Sequence, residues 1–272
     1  MHLRAIACLL TYSAIGLGVF AGAATAGAEP AGPRPVAAVL ELFTSQGCSS
    51  CPPADRLFEE LARDQRFIVL SLPIDYWDRL GWKDTFAKHA FTERQRAYAS
   101  VRGDHQIYTP QAVVNGAEHA NGASLLAIEA SAETTSPPRL PVSAKQSGGE
   151  VEVTVGGTGS GSPYASIVLM PYLASRQVAI GRGENAHTKI TYTNIVREIV
   201  PVGEWTGKPV TLKAALPPAA SGESYDGAVV LVQEGTVDNP GAILGATRID
   251  LGPAGNAARH ADAGHGSEHV GP

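Results

Sequence analysis

Every position from Val36 to Phe43 is apolar except Glu41, a run that predicts a strand buried on both faces. Ser45-Gln46-Gly47 then signals a turn, and Cys48-Ser49-Ser50-Cys51-Pro52-Pro53 follows it. Paired prolines fit only the first turn of a helix. Leu57, Phe58 and Leu61 recur at helical spacing behind them, so a helix is expected from about Pro52 to Arg63. Phe67 to Leu72 reads as a second strand and completes a βαβ unit. A long helix is expected over Asp84 to Val101, with Phe86, Ala87, Ala90, Phe91, Ala97, Tyr98 and Val101 as its packed face. Thr109-Pro110 leads into a short strand, Gln111 to Asn115, which Gly116 closes, and Ser124 to Ala132 predicts a last helix.

The pattern changes at residues 134–141, Thr-Thr-Ser-Pro-Pro-Arg-Leu-Pro, where prolines block both helix and sheet ladder and mark a linker. Beyond it Glu150 to Val155 alternates polar and apolar. Further runs occupy Ala165 to Leu173, Ile195 to Val202, Val210 to Leu216, Ala228 to Val232 and Ala242 to Leu251. Glycine- and proline-containing turns separate them, which predicts about seven short strands in a sandwich. The expected organisation is an α/β domain over 34–133, the linker, an all-β sandwich-like domain over 142–252, and a disordered tail over 253–272.

Composition narrows the class. Gly 30 and Pro 19 in 272 residues make the chain turn-rich but keep it below the low-complexity range. With 21 basic and 26 acidic residues and no basic stretch, nucleic-acid binding lacks its electrostatic driving force. Arg4 precedes the mostly apolar stretch Ala5 to Phe20, and Ala26-Gly27-Ala28 offers a small-x-small cleavage site, so residues 1–28 read as a signal peptide and the protein as exported, periplasmic or secreted. Cys8 leaves with that segment. No later stretch is long and apolar enough to span a membrane. Cys48 and Cys51 remain, in a compartment where disulfides persist.

A thiolate at a helix N-terminus is stabilised by unpaired backbone N–H groups and the helix dipole, and a second cysteine three residues on can resolve a mixed disulfide. Three uses of the pair stay open: reversible redox chemistry, a static disulfide, or a metal ligand set. Closing a four-residue loop constrains the unfolded chain by only about 2 kcal/mol, a weak staple. The segments Val39 to Asp55, Asp75 to Tyr98, Tyr108 to Gly116 and Gly181 to Arg197 resemble the bacterial secreted family called domain of unknown function 1223, placed in the thioredoxin-like superfamily. The resemblance implies a thioredoxin-like first domain, Cys48 as attacking thiol, Cys51 as resolving thiol, and a cis Thr109-Pro110 bond facing them. Ser49-Ser50 departs from the Gly-Pro of thioredoxin, so the redox potential is not readable.

Glu41, near where thioredoxin carries a buried acid, is a candidate to accept the proton of Cys51. Asp75-Tyr76-Trp77-Asp78 and Trp82 offer ring faces and acids to wall the site, with Thr109, Trp77 and Asp78 as candidate substrate contacts. Gly183 and Asn185 suit turn positions with positive φ, and Arg197 alternates with apolar neighbours, reaching either an interface or solvent. His260, His265 and His269 in the tail, with the cysteines, keep a copper- or zinc-delivery module open beside a non-catalytic scaffold. The favoured reading is a thiol-disulfide oxidoreductase with no cofactor, acting on a protein or small-molecule thiol or disulfide. The oligomeric state is open. No G-x-S-x-G elbow, H-E-x-x-H pair or P-loop supports a hydrolase or nucleotide site.

Overall fold

The computed structural model describes residues 36–158, 163–219 and 223–252. The segments read as signal peptide and tail lie outside the described residues. The buried run becomes β1 (Ala38–Thr44), α1 spans Pro52–Leu61 with its prolines at the N-terminus, and β2 (Phe67–Pro73) pairs parallel to β1. Then come α2 (His89–Arg102), the hairpin β3 (Gln111–Val114) and β4 (Glu118–Asn121), and α3 (Leu125–Thr134). The second half contributes β5 (Val142–Ser147), β6 (Glu150–Val155), β7 (Ala165–Ala179), β8 (Lys189–Val196), β9 (Val200–Trp205), β10 (Val210–Ala215), β11 (Gly227–Thr236) and β12 (Asn239–Asp250).

The expectation of an α/β thioredoxin-like domain followed by an all-β sandwich is corrected by the sheet topology. Among the described residues the fold is mostly β, and one mixed nine-stranded sheet runs through both halves in the order β12-β11-β7-β8-β2-β1-β3-β4, with β9 also paired to β7. The strands β10-β6-β5 form a separate small sheet over it. The physical reason is the outer edge of β2, whose unpaired backbone groups β8 covers in parallel instead of leaving them to water. That junction is narrow, with the single register pair Ser71↔Ile195. Asn194 breaks the ladder with φ 47°, and its side chain substitutes for a backbone donor, giving a hydrogen bond to the Val69 carbonyl at 2.9 Å. Ser71 Oγ donates to the Thr193 carbonyl at 2.8 Å.

Two other elements differ from the pattern reading. α2 starts at His89 because Asp84 Oδ1 accepts the backbone N–H groups of Phe86 and Ala87 at 2.8 and 3.2 Å, which holds 84–88 in a turn. Its buried stripe is Phe91, Arg94, Gln95 and Tyr98, whereas Val101 is half exposed. The run expected over Ile195 to Val202 divides into β8 and β9.

Two members of the buried stripe of α2, Arg94 and Tyr98, answer to Glu41, while Gln95 donates to the Tyr108 carbonyl and Gln111 Oε1. Glu41 is fully buried on the β1 face shared by Val39 and Phe43. Arg94 Nε and Nη2 reach its two oxygens at 2.7 and 3.1 Å, and Tyr98 donates its hydroxyl to the same carboxylate. Gln233 of β11 joins from the other half, its Oε1 accepting from Arg94 at 2.9 Å and its Nε2 donating to Tyr98 at 2.7 Å. Around this network Val39, Phe43, Leu70, Leu72 and Phe91 share one core with Val168, Met170, Val229, Leu231 and Ile243. Gly116, at φ 69°, lies so close to the Gly241 carbonyl that a side chain there would collide with it.

Removing one partner of a buried ion pair leaves an uncompensated charge, so Arg94→Met should destabilise the fold by about 3–5 kcal/mol in urea unfolding. Glu41→Leu in the same chain should recover part of that loss, since the double variant buries no lone carboxylate.

Candidate functional site

The end of β1 delivers the chain into a tight loop whose geometry is set by local hydrogen bonds. The Cys48 N–H donates to the Ser45 carbonyl at 3.2 Å, and the Cys51 N–H to the Cys48 carbonyl at 3.2 Å. Cys51 caps α1, its own carbonyl accepting from Ala54 and Asp55 at 2.8 and 3.1 Å. Cys48 and Cys51 are joined in a disulfide. Both sulfur-bearing residues are buried, Cys48 at 1% and Cys51 at 0% exposure, while Ser49 and Ser50 face solvent above them. Ser50 Oγ lies 3.3 Å from Cys48 Sγ and donates to the Thr109 carbonyl at 3.3 Å. The Thr109–Pro110 bond is cis. Trp77 Nε1 donates to Thr109 Oγ1 at 2.8 Å. Cys48, Cys51, Thr109, Pro110 and Trp77 therefore belong to one hydrogen-bonded neighbourhood at the end of the sheet.

Asp78 stands one step out, its Oδ1 accepting the Asp84 N–H at 3.0 Å. Glu41 is not part of the site. It lies on the α2 face of β1, and its oxygens are taken by Arg94 and Tyr98, whereas Ala54 and Phe58 of α1 pack with Leu40 and Leu42 on the opposite face. The acid beside the cysteines is Asp55, one helical turn beyond Cys51 on the same helix face and 2% exposed. Thr44 Oγ1 donates to Asp55 Oδ1 at 2.8 Å, and Oδ2 has no partner among the described residues. Burial pushes the Asp55 carboxyl up to about 8, the Thr44 hydrogen bond opposing and the charge of Asp84 adding to the rise.

The loop is held from outside by Trp82, expected to wall the site, and by Asp84, Thr85 and Asn185, which the sequence pattern had not placed there. Gln46 donates its N–H to Asp84 Oδ2 at 2.8 Å and its side-chain amide to Thr85 Oγ1 at 2.9 Å, and accepts the Trp82 indole N–H at 2.8 Å. Burial raises Asp84 to about 6 against the N–H donors of Gln46 and Phe86. Asn185, in the connection between β7 and β8, gives both protons of its amide to the carbonyls of Gln46 and Cys48, each at 2.9 Å. The turn residues with positive φ there are Gly183 and His187, not Asn185. A Cβ on Gly47 would press on Trp77 Cβ at 3.2 Å, which explains glycine before the first cysteine. Arg197 donates to the Phe86 carbonyl at 3.1 Å and stacks over its ring, inside the contact between the halves. A charged residue on the apolar face of α1, flanked by Ala54 and Phe58, was the available signal for Asp55. Asn185 had none beyond its place in a resembling segment.

Among the described residues no cluster of three or more His, Cys, Asp or Glu forms a metal site, and the two thiols that would serve one are bonded to each other. No helix of the described residues is long and apolar enough to cross a membrane.

A family model described as "Protein of unknown function (DUF1223)" matches residues 39–233, a span that contains both cysteines, the cis bond and Asn185. The chain belongs to the DUF1223 family. Comparison with curated proteins gives no match. A solved structure, the X-ray crystal structure of an Agrobacterium tumefaciens protein, is 34% identical, covers 81% of this chain and 96% of its own, and superposes with a TM-score of 0.69. The DUF1223 match begins in β1 and ends in β11, so it crosses the junction of β2 and β8.

An unfolded aspartate titrates near 3.9, so between that pH and about 8 the folded chain keeps a proton on Asp55 that the unfolded chain releases. Stability is therefore greatest below pH 4 with respect to this group and falls as pH rises through the window. Asp84 adds a similar slope only up to about 6. From pH 6 to 8 Asp55→Asn should remove a loss of roughly 1 kcal/mol per pH unit, read as the difference between the urea-unfolding free energies of the two proteins.

Proposed function

We propose that this DUF1223 protein is an exported thiol-disulfide oxidoreductase, with Cys48 exchanging with a protein or small-molecule thiol and Cys51 as its buried partner. The observation that carries the reading is the joint placement of a disulfide at the N-terminus of α1, the Thr109 carbonyl and cis Pro110 across from it, and the buried Asp55 carboxyl one turn beyond Cys51. The strand, cysteine pair and helix together with the facing cis proline also favour kinship of this site with thioredoxin-like proteins. Export rests on Arg4, the apolar stretch to Phe20 and the Ala26-Gly27-Ala28 signal.

The chemistry runs from the oxidised state. A substrate thiolate attacks Cys48 Sγ, forming a mixed disulfide and breaking the Cys48–Cys51 bond. The electron pair leaves on Cys51 sulfur, which takes the proton of Asp55 and so avoids a bare thiolate in a buried site. A second substrate thiolate then attacks the substrate sulfur of the mixed disulfide, releasing an oxidised substrate disulfide and the Cys48 thiolate. That thiolate sits against the unpaired N–H groups and dipole of α1. Two thiolates have lost two electrons, and the protein pair has gained them. Ser50 must swing off Cys48 to admit the first thiolate, since only the serines are exposed.

A second reading is favoured by one observation, the near-complete burial of Cys48: a closed pair that serves a binding scaffold.

With glutathione or a cysteine peptide as substrate, Cys51→Ser should accumulate a mixed disulfide at Cys48, resolved by mass spectrometry. Cys48→Ser should trap none, because in this reading Cys48 is the sulfur that exchanges with substrate and Cys51 only resolves it. A native pair that resists mild dithiol reductant, with neither variant forming an adduct, would overturn the oxidoreductase in favour of the scaffold.

A further inference from the structure

We infer that Asn185 is a positioning residue that sets the redox poise of the Cys48–Cys51 pair from the β-rich half of the chain, an inference that rests on the thiol-disulfide reading. The motif around Asn185 lies 137 residues from Cys48 in sequence, yet it makes the most direct contact that this half has with the pair. Its side-chain amide is buried, and both of its protons are spent on the cysteine loop, on the Gln46 carbonyl and on the Cys48 carbonyl, at 2.9 Å each. A carboxamide oxygen in the same place would face two other oxygens, so the amide orientation is fixed by its acceptors.

The Cys48 carbonyl is the pivot of the loop. It already accepts the Cys51 N–H at 3.2 Å, the bond that closes the turn between the two sulfurs, and Asn185 supplies its second donor. Both lone pairs of that oxygen are thereby engaged. The oxygen belongs to the residue that bears the exchanging sulfur, and its negative end would otherwise repel a thiolate in a low-dielectric setting. A donor on it withdraws that charge and lowers the cost of the reduced, ionised pair. The oxidised pair carries no charge and gains less. Asn185 therefore stabilises the reduced form selectively and makes the disulfide more oxidising.

The connection that carries Asn185 is itself braced against the site. Its backbone bonds are closed by Thr188, whose N–H and hydroxyl donate to the Asn185 carbonyl at 3.2 and 2.6 Å. Gly181 and Gly183 lie against Trp82, whose indole holds Gln46. The amide is thus presented to the loop by a rigid connection, and a substitution at 185 removes a donor without removing the support.

The test is the equilibrium of the full-length protein with reduced and oxidised glutathione, together with the Cys48 thiol pKa from the pH dependence of its alkylation and with the melting temperature. Asn185→Ala should shift the equilibrium about tenfold toward the disulfide, which is a fall of about 30 mV in reduction potential, and raise the Cys48 pKa. Asn185→Ser, with one hydroxyl donor, should fall between Ala and the native protein, and Asn185→Asp, with a carboxylate toward the same carbonyls, should shift furthest. The Ser variant keeps the test open where Ala or Asp lowers folding yield. Folded variants whose potential and Cys48 pKa match the native values, with only the melting temperature moved, would reduce Asn185 to a structural residue. A native pair that does not equilibrate with glutathione at all would instead remove the thiol-disulfide reading and this inference with it.

Discussion

The buried carboxylate of Glu41 is the constraint around which the two halves of the chain are arranged. A lone charge in the central strand of a sheet is intolerable, so α2 turns toward it a face that carries Arg94 and Tyr98 where an ordinary helix would carry leucines. Arg94 and Tyr98 in turn need partners, and Gln233 in β11 supplies them. The network thereby joins β1, α2 and β11. The core that closes over it draws side chains from both sides of the 134–141 segment. A chain that reads as two domains folds around one charge.

β1 also separates two acids that have different fates. On one face Glu41 is matched by a guanidinium, and both of its oxygens are engaged by Arg94 and Tyr98. On the other, Asp55 has a single hydroxyl donor and one oxygen without a partner among the described residues, so burial wins and the proton stays on. Charge compensation makes the first acid structural. Its lack leaves the second, one helical turn beyond Cys51, with a carboxyl whose pKa burial raises. The difference is decided by the partners each acid meets, a guanidinium for Glu41 and a single hydroxyl for Asp55, not by either residue's distance from the cysteines along the chain.

Much of the first half was legible. The apolar run with its prolines placed β1 and α1, and the cysteine spacing placed the pair at the helix start. The register of hydrophobic positions misjudged α2, because period alone reads Arg94 and Gln95 as solvent residues, whereas the Glu41 carboxylate draws Arg94 inward and Gln111 and the Tyr108 carbonyl draw in Gln95. It also could not show that β8 would pair with β2, since alternation fixes which face of a strand is buried but says nothing of its neighbour. The proline-rich 134–141 segment marks a real change of pattern while leaving the sheet continuous on either side of it. Asn185 was hidden for a related reason: a single buried amide acts through a long-range hydrogen bond that has no periodic signature.

The way the cysteine loop is supported bears on what its disulfide is for. Asp84, Trp82 and Asn185 hold Gln46 and the Cys48 carbonyl through bonds that do not pass through sulfur, and the Cys48 carbonyl and Cys51 N–H close the turn. A four-residue loop contributes only about 2 kcal/mol through chain entropy when cross-linked. In a loop already fixed by that many buried hydrogen bonds, the disulfide adds little constraint that the fold lacks without it. The sulfurs sit under two serines, so the bond is guarded against casual reduction, yet its loss would leave the loop's scaffold standing. Under the thiol-disulfide reading proposed for the pair, that redundancy lets the bond open and close without loss of the loop's support.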